Sequence, residues 1–231
     1  MRKISLIIPC YNEEDNIPEI CKKIEEFRKY KNIEVILVNN GSTDSTKKEI
    51  LKIMNTLNFV QLVDIQKNQG YGHGIISGLK VAKGDILSWT HADLQTDPLD
   101  ILKGLKYFEK NDDIFVKGRR RKRNLFDNFF TIGMSIFETL LLKKLLWDIN
   151  AQPTMFSRPF FESWDSPPSD FSLDLYAYYM AKKRNIKIYR FNVFFKKRLY
   201  GYSKWNMGLL SKIKFIKRTL SYSLILNKKI K

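Results

Sequence analysis

Short, mostly apolar runs recur along the chain, each followed by a polar loop and then by apolar residues three and four positions apart. Ile4-Ser5-Leu6-Ile7-Ile8, Ile33 to Val38, Val60 to Ile65, Ile86 to Trp89 and Ile114-Phe115-Val116 are the runs. Their length and lack of polar alternation predict strands buried on both faces. Between them, Ile17, Ile20, Cys21, Ile24 and Phe27 form one helical stripe, and Ile50, Ile53, Met54 and Leu57 a second. Ile75 to Ala82, closed by Gly84, and Ile101, Leu102, Leu105 and Phe108 predict two more helices. Strands alternating with amphipathic helices imply an α/β protein with a mainly parallel sheet and helices on both faces. Ligands in such a sheet bind at the carboxyl ends of the strands.

The pattern changes after Gly118. Leu125 to Trp147 reads as a long helix with apolar side chains spread around much of its surface and interrupted by Glu138. Its apolar run is too short to span a bilayer, so it is either a buried core helix or one lying in a membrane interface. Phe171 to Lys183 predicts a helix, Ile186 to Phe195 a strand, and Gly208 to Leu226 a basic amphipathic helix. The expected organisation is a catalytic-type domain over residues 1–204, with 119–150 as a helical interface or acceptor segment, and a basic amphipathic helix over 205–231.

Charge narrows the partners. The 41 Lys and Arg against 24 Asp and Glu give +17, unevenly spread: Lys117 to Arg123 holds six cations in seven residues, and nothing after Lys196 is acidic. Such a surface seeks anions, whether phosphorylated ligands or an anionic membrane surface. No RNA-recognition aromatic motif or zinc-finger spacing accompanies the charge, so nucleic acid is not expected. Cys10 and Cys21 are too few for a disulfide framework, and the apolar run behind Met1-Arg2-Lys3 breaks at Pro9 rather than forming a signal peptide. The expected location is cytoplasmic, peripheral on the membrane face.

Candidate chemistry concentrates in Ser88 to Pro98, where an apolar strand gives way to His91, Asp93 and Gln95 before Asp97-Pro98 opens a helix. If the chain stays extended, these three alternate side chains leave on one face. That oxygen-rich trio suits a divalent metal with bound phosphates. Asn68-Gln69-Gly70-Tyr71-Gly72-His73-Gly74 brings three alternate glycines before a helix without meeting the Rossmann or P-loop pattern. The glycines suit either a turn with positive φ or close backbone approach to a diphosphate or sugar. His73 and His91, the only histidines, lack zinc-site spacing, and no nucleophile elbow occurs. After the last strand, Arg198-Leu199-Tyr200-Gly201-Tyr202-Ser203-Lys204 sets cations and a hydroxyl in a loop suited to phosphate oxygens.

Taken in order, Ile7 to Glu14, Val38 to Asp44, Asn68-x-Gly70-x-Gly72, His91 to Pro98 and Arg198-x-x-Gly201-x-Ser203-Lys204 resemble family 2 glycosyltransferases. The similarity is greatest to the dolichol-phosphate mannose synthase and polyprenyl-phosphate glycosyltransferase branch. The resemblance implies a GT-A (Rossmann-like) fold, a nucleotide-diphosphate sugar donor, Mn²⁺ or Mg²⁺, and transfer with inversion to a lipid or lipid-phosphate acceptor. By position it assigns Pro9, Tyr11, Glu13, Asn40, Gly70, Gly72, His91 and Asp93 to the nucleotide sugar. Asp93, Gln95 and His91 would hold the metal, and Arg119, Arg121, Arg198, Ser203 and Lys204 the phosphates of donor or acceptor. Asp93, Asp174 and Arg198 are its candidate catalytic residues, with Asp174 as the base if the acceptor is a hydroxyl and Asp170 behind it. A membrane-protein partner or a homo-oligomer is a further expectation.

The chain departs from the family pattern twice. Asn39-Asn40 replaces a pair of aspartates, and an amide loses the bidentate acceptor that suits guanine, which favours UDP, then CDP, over GDP. His91 replaces the first acid of Asp-x-Asp; imidazole either favours Mn²⁺ or bonds the donor without touching metal. These substitutions keep a second reading open, a non-catalytic sugar-nucleotide-binding protein.

Overall fold

A computed structural model describes residues 2–121, 125–201 and 209–228. Strand β1 (Ile4–Cys10) leads through α1 (Ile17–Ile24) to β2 (Ile33–Asn40), and α2 (Thr46–Met54) leads to β3 (Val60–Ile65). Helix α3 (Tyr71–Val81), β4 (Ile86–Trp89), α4 (Asp100–Leu105) and β5 (Ile114–Arg121) follow. Then come α5 (Leu125–Leu142), β6 (Thr154–Ser157), α6 (Arg158–Glu162), α7 (Leu173–Lys183), β7 (Lys187–Phe194) and α8 (Leu209–Lys228).

The strands form a sheet of order β3-β2-β1-β4-β6-β5-β7. All neighbours are parallel except those of β6, which runs antiparallel to both β4 and β5. The mainly parallel α/β expectation therefore holds, with one reversed strand inserted. Periodicity missed β6 because Thr154-Met155-Phe156-Ser157 is short and buried on both faces, leaving no alternation to read.

Each face carries its own core. Ile4, Leu6 and Ile8 point one way, onto α1, α2 and α4; Ile7, Ile36, Val38, Leu87 and Trp89 point the other, onto α3 and α7. Trp89 is fully buried and meets Phe156 of β6 and Trp164 edge-on. With both faces sealed, polar chemistry leaves the central strands only at their ends.

Several boundaries differ from expectation. Helix α3 begins at Tyr71, so the glycine run forms its first turn rather than a loop before it. Gly84 does not cap that helix; its N–H donates to Ser5 Oγ at 2.8 Å, and a Cβ there would strike the β1 backbone. Asp97-Pro98 forms a hydrogen-bonded turn, with Asp97 Oδ1 accepting from Leu99 N at 3.1 Å, and α4 begins at Asp100. Strand β5 runs on through the basic stretch to Arg121, which pairs with Phe194 of β7.

Helix α8 packs against α5, where Ser223 Oγ donates to Glu138 Oε1 at 2.7 Å. Glu138 is fully buried, and Oε2 finds no partner among the described residues. Burial pushes its carboxyl up to about 7, and only the Ser223 hydroxyl opposes the shift. A carboxyl raised in the fold binds its proton more tightly there than in the unfolded chain, so its contribution is complete below the ordinary carboxyl value and is lost as pH rises through about 7. Glu138→Gln should therefore raise the thermal midpoint at pH 8 and leave it nearly unchanged at pH 5, measured by paired calorimetric scans.

Candidate functional site

The carboxyl ends of β1, β2 and β4 open side by side, because β1 lies between the other two. Past β1, Asn12 takes a left-handed conformation at φ 55°. It locks to the β2 loop by accepting from Thr43 N at 2.9 Å, while its own N–H donates to Ser42 Oγ at 3.1 Å. Glu13 N donates to Thr46 Oγ1 at 2.8 Å, and the Glu13 carboxylate accepts from Asn16 Nδ2 at 2.6 Å. Burial first, and Asp93 with Asp44 after it, push the Glu13 carboxyl up against the opposing Asn16 and Arg198. Pro9 lies within β1 and Tyr11 just beyond it, both partly exposed, which places them at this opening.

The β2 end carries a correction. Asn40 is 3% exposed; Nδ2 donates to Gly70 O at 3.0 Å, and the side chain packs where a Cβ on Gly74 would sit. Its Nδ2 braces α3 from behind, while its Oδ1 finds no hydrogen-bond partner among the described residues. Asn39 Nδ2 donates to Asp64 Oδ1 at 2.7 Å across the β2–β3 register, and Asp64 Oδ2 also accepts from Lys47 at 2.6 Å and Gln66 at 3.2 Å. Lys47 leads in holding the Asp64 carboxyl below its ordinary value.

The glycines are also reassigned. Gly70 has φ 114°, open to glycine almost alone, and a Cβ there would lie 2.4 Å from Ser169 O. At Gly72 a Cβ would lie 2.5 Å from Pro168 O and 2.6 Å from Asp170 O. Their empty space admits the protein's own 168–170 backbone, so their assignment to the nucleotide sugar has no geometric support. His73 N donates to Ser169 O at 2.8 Å and completes that seam.

Beyond β4 the chain does not stay extended. Asp93 Oδ1 accepts from Gln95 N at 3.1 Å, and Leu94 sits at φ 54°, a left-handed conformation costing a branched side chain on the order of 1 kcal/mol. The buried Leu94 side chain offsets that cost from the core side. His91, Asp93 and Gln95 thus reach one opening through a turn, not by strand alternation.

What closes the opening comes from the far end of the described chain. Phe195 N donates to Arg121 O at 3.3 Å and Lys196 N to Gln95 O at 2.8 Å, while Gln95 Nε2 donates to Lys196 O at 3.2 Å. This strap delivers Arg198, whose Nη2 lies 2.8 Å from Asp93 Oδ2. Asp93 thus pairs with Arg198, and Gln95 holds Lys196 two residues before it. Of the basic stretch, Arg119 and Arg121 are exposed, and Arg121 Nε donates to Asn192 Oδ1 at 3.0 Å. Lys117 and Arg120 turn inward instead: Arg120 grips buried Asp148, with Nε to Oδ1 at 2.7 Å. A continuous wall of cations is thereby reduced to its exposed members. Ser203 and Lys204 lie outside the described residues.

Asp174 is corrected as well. At 1% exposure it accepts from Gln152 Nε2 at 2.8 Å and faces the fully buried Lys117 at 3.5 Å. Lys117 Nζ also donates to Thr154 Oγ1 at 2.7 Å, and burial outweighs the attraction of Asp174 to lower its ammonium to about 8. A carboxylate sealed this way balances a buried cation. Nothing in the sequence marked this cluster, because Lys117 lies on β5, Thr154 on the unpredicted β6 and Gln152 just before it.

In front of this cluster, Tyr71 stacks between His91, at 5.4 Å, and Phe171, at 4.4 Å. Burial leads in lowering the His91 value, with Arg120 and Arg198 assisting and Asp93 and Asp174 opposing, so the ring is held neutral near pH 7. A neutral imidazole can ligate a metal. Among the described residues no group of three or more His, Cys, Asp or Glu side chains could hold an ion alone. A hard divalent ion shared with substrate phosphates asks less, one or two carboxylates and further oxygens. Asp93, the Gln95 amide oxygen and neutral His91 fit that shared arrangement.

A mainly parallel sheet with the Asp93–Arg198 pair at the carboxyl ends of its strands, beside the switch point between β1 and β4, has the arrangement in which α/β domains bind ligands. The family model for glycosyl transferase family 2 matches residues 5–165, and the chain belongs to that family. It is 33% identical over 138 residues to the undecaprenyl-phosphate 4-deoxy-4-formamido-L-arabinose transferase of Proteus mirabilis, covering 56% of this chain and 40% of that one. To the dolichol-phosphate mannosyltransferase of Pyrococcus furiosus it is 30% identical over 127 residues, covering 55% and 36%. The matched region spans less than half the length of either relative. Among solved structures, glucosyl-3-phosphoglycerate synthase of Mycobacterium tuberculosis, in complex with Mn²⁺, UDP and glucosyl-3-phosphoglycerate, superposes with TM-score 0.76 at 18% identity, covering 98% of this chain and 80% of that one. A Pyrobaculum calidifontis mannosyltransferase bound to GDP-Man and Mn²⁺ gives 0.70 at 18% identity, covering 96% and 64%. These likenesses establish the GT-A fold.

Removing one partner of a buried ion pair typically costs about 3–5 kcal/mol. Asp174→Asn should lose stability on that scale near pH 6. Because Lys117 carries a lowered value of about 8, its unpartnered charge is shed as pH rises, and the deficit relative to wild type should narrow by pH 9. Urea melts at both pH values check this.

Proposed function

We propose that the chain is the catalytic domain of a glycosyltransferase that moves a sugar from a nucleoside-diphosphate sugar to a polyprenyl-phosphate-type lipid at a membrane surface. The observation that carries this reading is the Asp93–Arg198 ion pair at the carboxyl end of β4, delivered by a strap that is bonded to Gln95. The guanidinium suits a diphosphate whose negative charge grows as the sugar leaves. A bound Mn²⁺ or Mg²⁺, held by Asp93 with Gln95 and His91, supplies Lewis-acid neutralisation of that leaving group. Arg198 donates to phosphate oxygens, exposed Arg119 and Arg121 draw the anionic partner in, and Pro9, Tyr11 and Glu13 line the nucleoside side.

The sealed position of Asp174 supports an acceptor that arrives already ionised, since a phosphate needs no base to become a nucleophile whereas a hydroxyl does. The two sequence relatives are named for undecaprenyl phosphate and dolichol phosphate, which supports the same choice. For the base, amides at Asn39 and Asn40 in place of a pair of aspartates offer guanine no bidentate acceptor, which supports UDP.

Membrane attachment rests on the surface of the α5–α8 pair and the loop after α5. Ile136 and Leu140 of α5, Leu145 and Trp147 beyond it, and Leu224 and Ile225 of α8 are exposed, with Lys143 and Lys217 among them. Apolar side chains bordered by lysines suit an anionic leaflet. Among the described residues no helix is long and apolar enough to cross a membrane.

Two outcomes are expected. Asp93→Asn should lower transfer from UDP-sugar to a polyprenyl phosphate by about 10²–10³-fold while UDP still binds; transfer at the wild-type rate, or GDP bound more tightly than UDP by calorimetry, contradicts the assignment. Sedimentation with anionic liposomes at low salt should retain the wild type, and Leu140→Asp with Leu145→Asp should weaken retention at least about tenfold, since each buried leucine is worth roughly 1.5–3 kcal/mol.

A further inference from the structure

We infer that Arg198 is a phosphate-responsive gate on Asp93, holding the metal-ligating carboxylate closed until a diphosphate draws the guanidinium away. The inference rests on the nucleotide-sugar reading of this site and goes beyond it, because it makes metal and nucleotide binding depend on each other through one side chain. Arg198 Nη2 sits 2.8 Å from Asp93 Oδ2, and the other carboxylate oxygen already accepts from Gln95 N at 3.1 Å. The carboxylate is almost enclosed, with 7% of its side chain exposed, so a cation reaching it must contend with a guanidinium on the same oxygen. Like charges at that spacing repel, and a metal arriving alone must first displace Arg198.

The second observation concerns the rest of the guanidinium. Arg198 Nε is buried and has no hydrogen-bond partner among the described residues. A buried donor of a charged group left unpaired is costly, and phosphate oxygens satisfy the planar fork better than one carboxylate oxygen does. A diphosphate at this opening therefore offers Arg198 a better partner and leaves Asp93 free. The strap keeps the exchange local: Lys196 is bonded to Gln95 through both N and O, so Arg198 can swing between partners while its backbone stays anchored beside the site. Since the coupling is a free energy between two sites, metal must favour diphosphate as much as diphosphate favours metal.

The test measures Mn²⁺ affinity by the electron paramagnetic resonance of the free ion, using the full chain without acceptor or turnover. Wild type should bind Mn²⁺ weakly alone and more tightly with saturating UDP. UDP brings its own phosphate ligands, so the decisive comparison is without nucleotide. There Arg198→Gln should bind Mn²⁺ about tenfold more tightly than wild type, and the additional gain from UDP should shrink by a similar factor. Arg198→Lys, which keeps a cation within reach of Asp93, should stay near wild type and separates loss of charge from loss of local structure. Asp93→Asn should abolish the tightening in the Arg198→Gln background. Unchanged or weaker Mn²⁺ binding by Arg198→Gln alone, with UDP still tightening it as in wild type, overturns the gate and leaves the nucleotide reading standing. If UDP, CDP and GDP all leave Mn²⁺ binding unchanged in wild type, the nucleotide reading fails and the gate falls with it.

Discussion

Burial on both faces leaves the central strands a single outlet for polar chemistry. Ile7 and Ile8 of β1, Leu37 and Val38 of β2 and Leu87 and Trp89 of β4 are all sealed in one or other core. Any side chain that is to meet a charged ligand must come from the strand ends, where backbone groups are also released from the ladder. The left-handed residues Asn12 and Leu94 both sit at these exits. Each turns the chain sharply enough to keep its neighbours beside the opening, and for Leu94 a buried side chain secures the strained backbone.

The same scarcity of solvent explains how the polar groups divide. Those with water or ligand in reach stay at the rim, as Arg119 and Arg121 do. Those inside must neutralise each other: Lys117 with Asp174, Arg120 and Arg190 with Asp148. A buried pair adds little net stability over apolar packing but makes removal of either member expensive. In this fold such pairs join the edge half of the sheet, β5 and β7, to α7 and to the loop before β6. They shape the wall behind Tyr71 and His91 without taking part in it.

Much of the fold was legible in residue order. The apolar runs of β1 through β4 and the stripes of α1 and α2 follow from hydrophobic periodicity, which needs only local sequence. The motifs that hold Asp93, Gln95 and Arg198 were legible too, because their residue types and order carry the family resemblance, and the fold brings these three together. Less legible were β6, too short to show a period, and the start of α3, where glycines signal a loop by propensity while tertiary contacts impose a helix. Gly70 and Gly72 show the limit plainly: each signalled that something approaches closely, but not that it is the 168–170 backbone.

Sequence alone determined the alternation of strand and helix, the excess of positive charge and the order of the motifs that mark the family, because each is a property of residue order or of composition. Only the tertiary structure decided which groups face the opening. It buried Asn40 and Asp174, turned Lys117 and Arg120 inward, and set Arg198 on Asp93. The physical reason is that a side chain's chemistry depends on which charges and how much solvent it meets. Those neighbours come from strands and loops far apart in the chain, so no local pattern records them.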